Sequence, residues 1–349
     1  MQLPLAGVKV LDLSRILAGP HAAQTLSDLG AEVTKVEAPW GDDTRTWGPP
    51  FQAGFDKNEV ASYFLSANRG KTIVTANIKE EATRIRAMMH EADVIIENFK
   101  PGTFERHLGL VPESAILCSI SGYGQNGPRR DEPAFDLTMQ ARSGIMSITG
   151  EANGPPAKVG VAWIDVMTGM NAVNAILAAL LARERTGKGS RIDISLWDTA
   201  IAALVNQGHN ALTGIVPQRM GSAHPNLVPY RVFEAKDGWF AIGVGTKRQW
   251  LVLVEALRLD APEDWGENSV RIAQREEVEA LVQSAVKQHA RNDLEVMLSG
   301  IPCAPVNTVN EALQDKQSVA RGVLDEHQGV TTLASPLRFL HPSKENNDV

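Results

Sequence analysis

This sequence predicts an α/β protein with a Rossmann-like, doubly wound large domain and a smaller α+β domain. Three observations predict it. Short apolar strand-like runs alternate with helix-patterned segments from the N-terminus to about residue 212. Composition then shifts to a stretch rich in Gly, Pro, Ser and Asn, Gly214 to Pro229. Beyond it a hairpin pattern precedes further helical segments. Strands that alternate with helices imply parallel pairing and right-handed crossovers.

The elements follow in order. Val8–Leu13 is a strand, Ser14–Pro20 a turn-rich loop, His21–Leu29 a helix ended by Gly30, and Ala31–Glu37 a second strand. Glycine at that point supplies the left-handed residue that closes a helix. Thr72–Ala76 is a strand, Glu80–Glu91 a helix, and Asp93–Glu97 and Ala115–Ile120 are strands. Ligands of such sheets bind beyond the carboxyl ends of the strands, here the loops opening at Ser14, Asn98 and Ser121. An apolar strand-like run leads to Asp165, and Asp165–Arg185 has helical spacing through Met167, Met170, Val173, Leu177 and Leu181. That stripe is core. Arg191–Ser195 is a strand and Trp197–Leu212 a helix. Tyr230–Val244 is a hairpin turning at Lys236-Asp-Gly, and helices follow at Gln249–Leu257, Val270–Gln288 and Asn292–Leu298. The domains are 1–210, completed by 307–349, and 230–306, with 211–229 as linker or active-site loop. The polar tail after His341 is expected to fray.

The chain has 349 residues, enough for one large and one smaller core. Its net charge of −7 argues against nucleic acid as a partner. Two distant cysteines, Cys118 and Cys303, form no CxxC motif and point to a reducing cytoplasm. The N-terminus lacks a signal-peptide pattern. The longest strongly apolar run, Ala175–Ala182, falls short of the roughly 20 residues that cross a bilayer, so no membrane role is expected. No GxGxxG follows the first strand, and GxxxxGK[ST], GxSxG and HExxH are absent, which speaks against a dinucleotide, a P-loop, a serine nucleophile and a catalytic metal.

Asp165 stands out as a lone carboxylate among small and apolar neighbours, opening a helix. It has two readings: a helix N-cap or a covalent nucleophile. Lys71, Lys79 and Arg106 lie near element ends and together are placed to hold phosphates.

Seven segments, in order, resemble family III CoA-transferases, the group that includes formyl-CoA transferase and the carnitine CoA-transferases. They are Gly7–Pro20, Asp28–Glu37, Asn68–Lys71, Asp93–Gly102, Ser121–Gly124, Asp165–Met170 and Arg183–Gly189. Within the family, Gly41–Phe51, Tyr63–Asn68 and Gly221–Phe233 are most similar to the succinate–hydroxymethylglutarate (glutarate) branch.

The resemblance implies an interlocked homodimer that binds acyl-CoA and a small carboxylic acid, with no permanently bound cofactor and the coenzyme A thioester as substrate. Asp165 matches the nucleophile, passing through acyl-aspartyl and aspartyl-CoA intermediates, and the helix dipole would favour its ionised form. CoA contacts carry over to Leu17, Ala18, Ala76, Asn77, Ile78, Lys79, Asn98, Phe99, Lys100 and Arg106. Phe135 and Asp136 match positions lining the same pocket. Arg15, Arg45 and Arg142 are candidates for the acceptor carboxylate. Leu17 stands where formyl-CoA transferase has Gln, which speaks against formate and oxalate as the main acids. Related racemases carry a catalytic His where this chain has Phe135. An acyl-CoA racemase-like enzyme and a non-catalytic CoA binder remain the alternatives.

Overall fold

The computed structural model describes residues 3–55 and 58–339, and the tail after His341 lies outside them. The described residues within Met1–Ile145, Val159–Ile215 and Lys316–Val349 form one compact unit, and Met146–Lys158 with Val216–Asp315 form another. The short insertion 146–158, which the sequence places within 1–210, belongs to the second unit. Gly221 N–H donates to Gly150 O at 2.9 Å and the Arg219 guanidinium to Gly154 O at 3.1 Å.

In the first unit, β1 (Lys9–Asp12), β2 (Glu32–Glu37), β3 (Thr72–Thr75), β4 (Val94–Glu97), β5 (Ile116–Ser121) and β6 (Arg191–Ser195) form a sheet in the order β3-β2-β1-β4-β5-β6. All five pairings are parallel. The order reverses between β1 and β4, and a crevice beyond their carboxyl ends follows from that reversal. β4 and β5 are buried along their whole length, as continuous apolar strands in a two-sided sheet should be.

The period-2 alternation divides each strand between two cores. Val10, Val94, Ile96, Ile116, Cys118 and Ile120 face α1 (Ala18–Asp28) and, through Ile164, Ala172 and Ile176, the long helix Trp163–Thr186. Leu11, Ile95 and Leu117 face the other way, with Val36, onto α2 (Ala82–Glu91) and α3 (Thr103–Leu108) through Ile85, Met89, Phe104 and Leu108.

With α4 as Asp136–Arg142, the long helix is α5. It runs 24 residues, and by length and composition it is apolar enough to cross a membrane. The expectation from Ala175–Ala182 missed this because it stopped at the unbroken apolar run. Asn171 and Asn174 interrupt that run, yet the mean hydropathy of the helix still reaches 1.6. The stripe of α5 that packs in the sheet's core is Ile164, Ala172, Val173, Ile176 and Leu180; of the expected Met167, Met170, Val173, Leu177 and Leu181 only Val173 is buried, and Met170 and Leu181 are exposed.

Three further expectations are corrected. The segment 155–162 before Asp165 is not a strand. The helix expected over Trp197–Leu212 is two, α6 (Leu196–Ala202) and α7 (Val205–Leu212), with Val205 at φ 44° between them. α6 buries Leu196, Thr199 and Ala200, whereas α7 buries none of its residues, so no core holds the two on one axis. The expected helix Val270–Gln288 also breaks in two.

In the second unit, β7 (Tyr230–Ala235), β8 (Gly238–Gly243) and β9 (Cys303–Pro305) form an antiparallel sheet. Helices α8 (Lys247–Leu257), α9 (Asn268–Ala273), α10 (Arg275–Val286) and α11 (Arg291–Met297) accompany it. Trp250, Leu253, Val278, Val282 and Leu294 pack on Phe233, Phe240 and Ile242. The α9–α10 break lies at Gln274, whose amide oxygen accepts from Trp265 Nε1, while fully buried Arg271 donates to Trp265 O at 2.6 Å and Gly266 O at 3.1 Å. These side chains are fastened to the preceding turn, so the chain bends to reach it.

Two buried ion pairs sit under the carboxyl end of β1. The Lys71 ammonium donates to Asp12, Pro20 O and Asn68, each at 2.9 Å. The Lys35 ammonium donates to Asp42 at 3.0 Å and to Ser14 O at 2.8 Å. All four paired side chains are fully excluded from solvent. Lys71 is therefore a structural pillar, not the phosphate ligand its position in sequence suggested.

Burial would raise the Asp12 carboxyl, but Lys71, Lys35 and Ser14 outweigh it and hold it below the ordinary value. Burial pulls Lys71 down to about 8 against the pull of Asp12. Removing one partner of such a pair strands the other's charge, at about 3–5 kcal/mol. Lys71→Ala should lower the urea midpoint accordingly, and Lys71→Met with Asp12→Leu should recover much of the loss. A double variant no better than the single would show that the pair's charge balance is not what matters.

Candidate active site

Loop 14–17 is held at nearly every backbone polar group. Ser14 N–H donates to Asp12 at 3.0 Å. Arg15 N–H donates to Asn98 at 2.9 Å, and Asn98 Nδ2 returns a bond to Arg15 O at 2.7 Å. Ile16, at φ 71°, donates its N–H to Asp42 at 3.3 Å. A β-branched residue in the left-handed region is strained, so its surroundings must hold it there. The loop then delivers Leu17 as the N-cap of α1 and Ala18 as its first residue.

Leu17 and Ala18 line a cavity of about 110 Å³ with Ile16, Asn98, Phe135 and Asp165. Two helix starts, those of α1 and α5, thus meet at one small space. Gly169, one turn beyond Asp165, permits the approach: a Cβ there would lie 2.7 Å from Ala18 O.

Asp165 is the third residue of α5 and not its N-cap, which is Ala162. The capping role falls to Asp136, from another segment. Its Oδ1 accepts the N–H of Ile164 at 2.7 Å and of Asp165 at 3.3 Å, and Gln140 donates to its Oδ2 at 2.6 Å. Asp136 is therefore spent on positioning α5 and, unlike Phe135, does not line the cavity. A carboxylate over free helix N–H groups serves as a cap whichever segment supplies it.

Burial, and then the neighbouring Asp136 charge, push the Asp165 carboxyl up to about 7. The expected preference for the ionised form at a helix start is thus outweighed by desolvation. Tyr63, half-buried and edge-on to Trp47 at 5.3 Å, is pushed up to about 12 by burial and by Asp165, Asp136 and Asp42. Its phenol stays protonated and remains a donor.

A second cavity, of about 200 Å³ and mainly apolar, is lined by Ala76, Asn77, Ile78 and Phe99 together with Arg15 and Trp40. Lys79, Lys100 and Arg106 are exposed and line neither cavity, and Lys100 pairs with Asp131 at 3.6 Å. Among the arginines, Arg45 is occupied by Glu37 at 2.8 Å and lies over the Phe64 ring at 4.0 Å. Arg15 pairs with Asp43 at 3.1 Å and Arg142 with Glu132 at 3.7 Å, both more exposed pairs. Sequence patterns gave no sign of the parts played by Asp136, Gln140, Lys35 and Asp42. Asp136 caps a helix that starts nearly 30 residues on, Lys35 reaches Ser14 O 21 residues back and Asp42 reaches Ile16 26 residues back, although Asp42 and Lys35 fall inside quoted segments.

The family model for CoA-transferase family III matches residues 5–345. The chain is 39% identical to a succinate–glutarate CoA-transferase of Agrobacterium fabrum, covering 97% of this chain and 92% of the relative. It is 38% identical to the human succinyl-CoA:glutarate CoA-transferase, covering 94% and 77%. Among solved structures, a CAIB/BAIF family protein from Brucella suis superposes with a TM-score of 0.88 at 43% identity, covering 97% and 93%.

The Asp165 carboxyl makes a stability prediction with a definite sign. Its folded value of about 7 lies above the ordinary 3.8. Between those values the folded protein keeps a proton that the unfolded chain releases, so stability falls as pH rises through that window. Asp165→Asn removes the effect. It should melt higher than wild type above pH 7, by on the order of 2 kcal/mol after solvent screening, with the advantage gone near pH 4. Thermal melts across pH test this; an advantage independent of pH would contradict it.

Proposed function

This chain belongs to CoA-transferase family III and moves coenzyme A between acyl-CoA thioesters and carboxylic acids, and from that premise we propose a covalent route through Asp165. The observation that carries the proposal is the placement of Asp165. It is a partly buried carboxylate with raised basicity, in a cavity walled by residues matched to CoA contacts. The Asp165 carboxylate attacks the donor thioester carbonyl, the C–S bond breaks, and an acyl-aspartyl anhydride and CoA thiolate result. Thiolate attack on the aspartyl carbonyl expels the donor acid and leaves an aspartyl-CoA thioester. The acceptor carboxylate attacks that thioester and releases thiolate, which takes the new acyl group and restores Asp165. Each step exchanges one activated acyl group for another, so the thioester's free energy survives as long as water is kept out.

The names of the relatives favour succinyl-CoA as donor and glutarate, or a similar dicarboxylate, as acceptor. A dicarboxylate needs a cation for its second carboxylate, and the exposed Arg15 and Arg142 suit that role better than the occupied Arg45. The cavity also disfavours the racemase alternative. Asp165 is the sole acidic or basic side chain in its lining, and Phe135 carries no proton for a second face. The nucleotide-bearing end of CoA falls to Ala76, Asn77, Ile78 and Phe99, with Lys79, Lys100 and Arg106 as exposed cations for its phosphates.

Mixing with succinyl-CoA, a hydroxylamine quench and intact mass should yield a hydroxamate on the Asp165 peptide, and Asp165→Ala should abolish both adduct and transfer while still binding CoA. Transfer that persists in Asp165→Ala would remove the nucleophile. The rate at low succinyl-CoA should fall about tenfold per unit below pH 7, because only the ionised carboxylate attacks.

The same reading makes the protein a homodimer. Met170 and Leu181 on α5, Ile201 on α6, and Val205 and Leu212 on α7 are exposed apolar side chains on consecutive helices of one unit. Exposed apolar side chains recurring along three consecutive helices ask for a partner, and a second copy supplies one. Sedimentation should give twice the chain mass, with Leu181→Glu and Leu212→Glu together lowering it; a monomeric wild type would refute the dimer.

A further inference from the structure

Glu97 is a buried acid that the covalent route does not use. It closes β4, is only 4% exposed, and its Oε2 accepts the N–H of Phe99 at 2.8 Å. A side chain that takes a backbone N–H two residues on competes with the strand ladder and turns the chain. The residues it turns are Asn98 and Phe99. Asn98 lines the Asp165 cavity and is bonded in both directions to the backbone of Arg15, while Phe99 lines the second cavity. One carboxyl thus holds the short link between the two spaces, and it lines neither of them.

Its surroundings make that hold sensitive to charge. The sheet register sets Glu97 beside Ser119 on β5 and Ser119 beside Asp193 on β6, in one row near the carboxyl ends of the strands. Asp193 accepts the N–H of Gln125 at 3.0 Å, and Glu105 on α3 pairs with Arg191 at 3.3 Å. Burial pushes the Glu97 carboxyl up to about 7; Ser119 and the Phe99 N–H pull it down, and Glu105 and Asp193 push it further up. Buried acids are ordinarily paired with a cation, as Asp12 and Asp42 are with Lys71 and Lys35. Glu97 has a hydroxyl and a backbone N–H instead. Its bond to Phe99 is charge-assisted, and stronger, only while it is ionised.

We propose that Glu97 is a positioning residue whose carboxylate holds the Asn98–Phe99 link in the form that binds acyl-CoA, and slackens it on taking up a proton. This rests on the assignment of Asn98 and Phe99 to coenzyme A and adds a control that acts on them from outside both cavities. Asp165 governs attack and Glu97 governs capture, so the two separate once attack is removed.

Asp165→Ala, which should still bind CoA, is the parent for the test. Titration calorimetry with CoA should show its Kd falling about fivefold from about pH 6 to about pH 8, beyond the change that the ligand's own phosphate brings. With Glu97→Gln added, an amide oxygen still accepts from Phe99 but nothing titrates there, so the excess should vanish and leave the weaker Kd. The CoA phosphate titrates alike against both proteins, so the ratio of their Kd values isolates Glu97. With Asp165 intact, Glu97→Gln should raise KM for succinyl-CoA by a similar factor above pH 7 and spare kcat. A merely structural acid would give the same loss at every pH. A Kd ratio independent of pH overturns the inference. So does one that runs the other way, which would set Glu97 in direct repulsion with the ligand. Phe99→Ala separates this inference from the assignment beneath it. Unchanged CoA affinity there removes Phe99 from the site and the inference with it, whereas weakened affinity beside a flat Glu97 ratio removes the inference alone.

Discussion

The buried charges beneath the first loop are what the rest of the site depends on. Lys71 spends its donors on Asp12, Asn68 and Pro20 O, and Lys35 ties Asp42 to Ser14 O. The loop enters on Ser14, is strained at Ile16 and leaves into α1 at Ala18. A hydrophobic core could fill the same volume, and buried ion pairs often contribute little net stability. Carbonyl and N–H groups of an irregular loop, however, cannot be buried against methyl groups without cost. Charged side chains satisfy them and fix their direction. The network is therefore better understood as specifying one conformation of the loop than as stabilising the fold.

Asp165 depends on a similar arrangement one layer away. Asp136 caps α5 with one oxygen and is held by Gln140 through the other. This fixes the start of the helix on which Asp165 sits, and it brings a second carboxylate close enough to raise the first. A single group thus provides both geometry and electrostatics. The consequence is a carboxylate that is costly to ionise inside the fold, a local sacrifice of stability of the kind expected at a reactive centre.

Much of the first unit was legible in the sequence because its strands are apolar runs bounded by turn residues, and the βαβ alternation leaves few topologies open. Arg191–Ser195 was placed at its observed bounds, and the other strands of the sheet within a residue or two. The long helices were harder. Val205 and Gln274 break helices whose hydrophobic spacing runs straight through them. At Gln274 the side chain is bonded to Trp265 in the preceding turn, a contact that hydrophobic spacing does not report. In the site, Asp165 and the loop at Leu17 were visible as motif residues. Asp136 was visible but given a different task, because a cap contributed from 29 residues away has no sequence signature. Lys71 shows the converse error. Lysine is rarely buried, so surface was the better expectation, and its partner Asp12 lies 59 residues earlier.

The raised carboxyl has a mechanistic meaning beyond its cost. A carboxylate of ordinary acidity is a weak nucleophile, and its anhydride with another acid would form too unfavourably to be a useful intermediate in water. Desolvation changes both terms. It raises the basicity of Asp165 while leaving a large part of it ionised near neutral pH, and it removes the water that would otherwise capture the anhydride. A group much more basic than 7 would be protonated most of the time, and one near its ordinary 3.8 would attack poorly. Apolar Leu17, Ala18 and Phe135 around the carboxylate serve both needs at once, since the side chains that exclude water are the same ones that withhold solvation from the charge. A polar, better hydrated cavity would stabilise the resting enzyme and weaken it as a carrier of acyl groups. The small space at the meeting of two helix starts, where Leu17, Ala18 and Phe135 wall the carboxylate, is for this reason the part of the structure least free to vary if the covalent route is the one this protein uses.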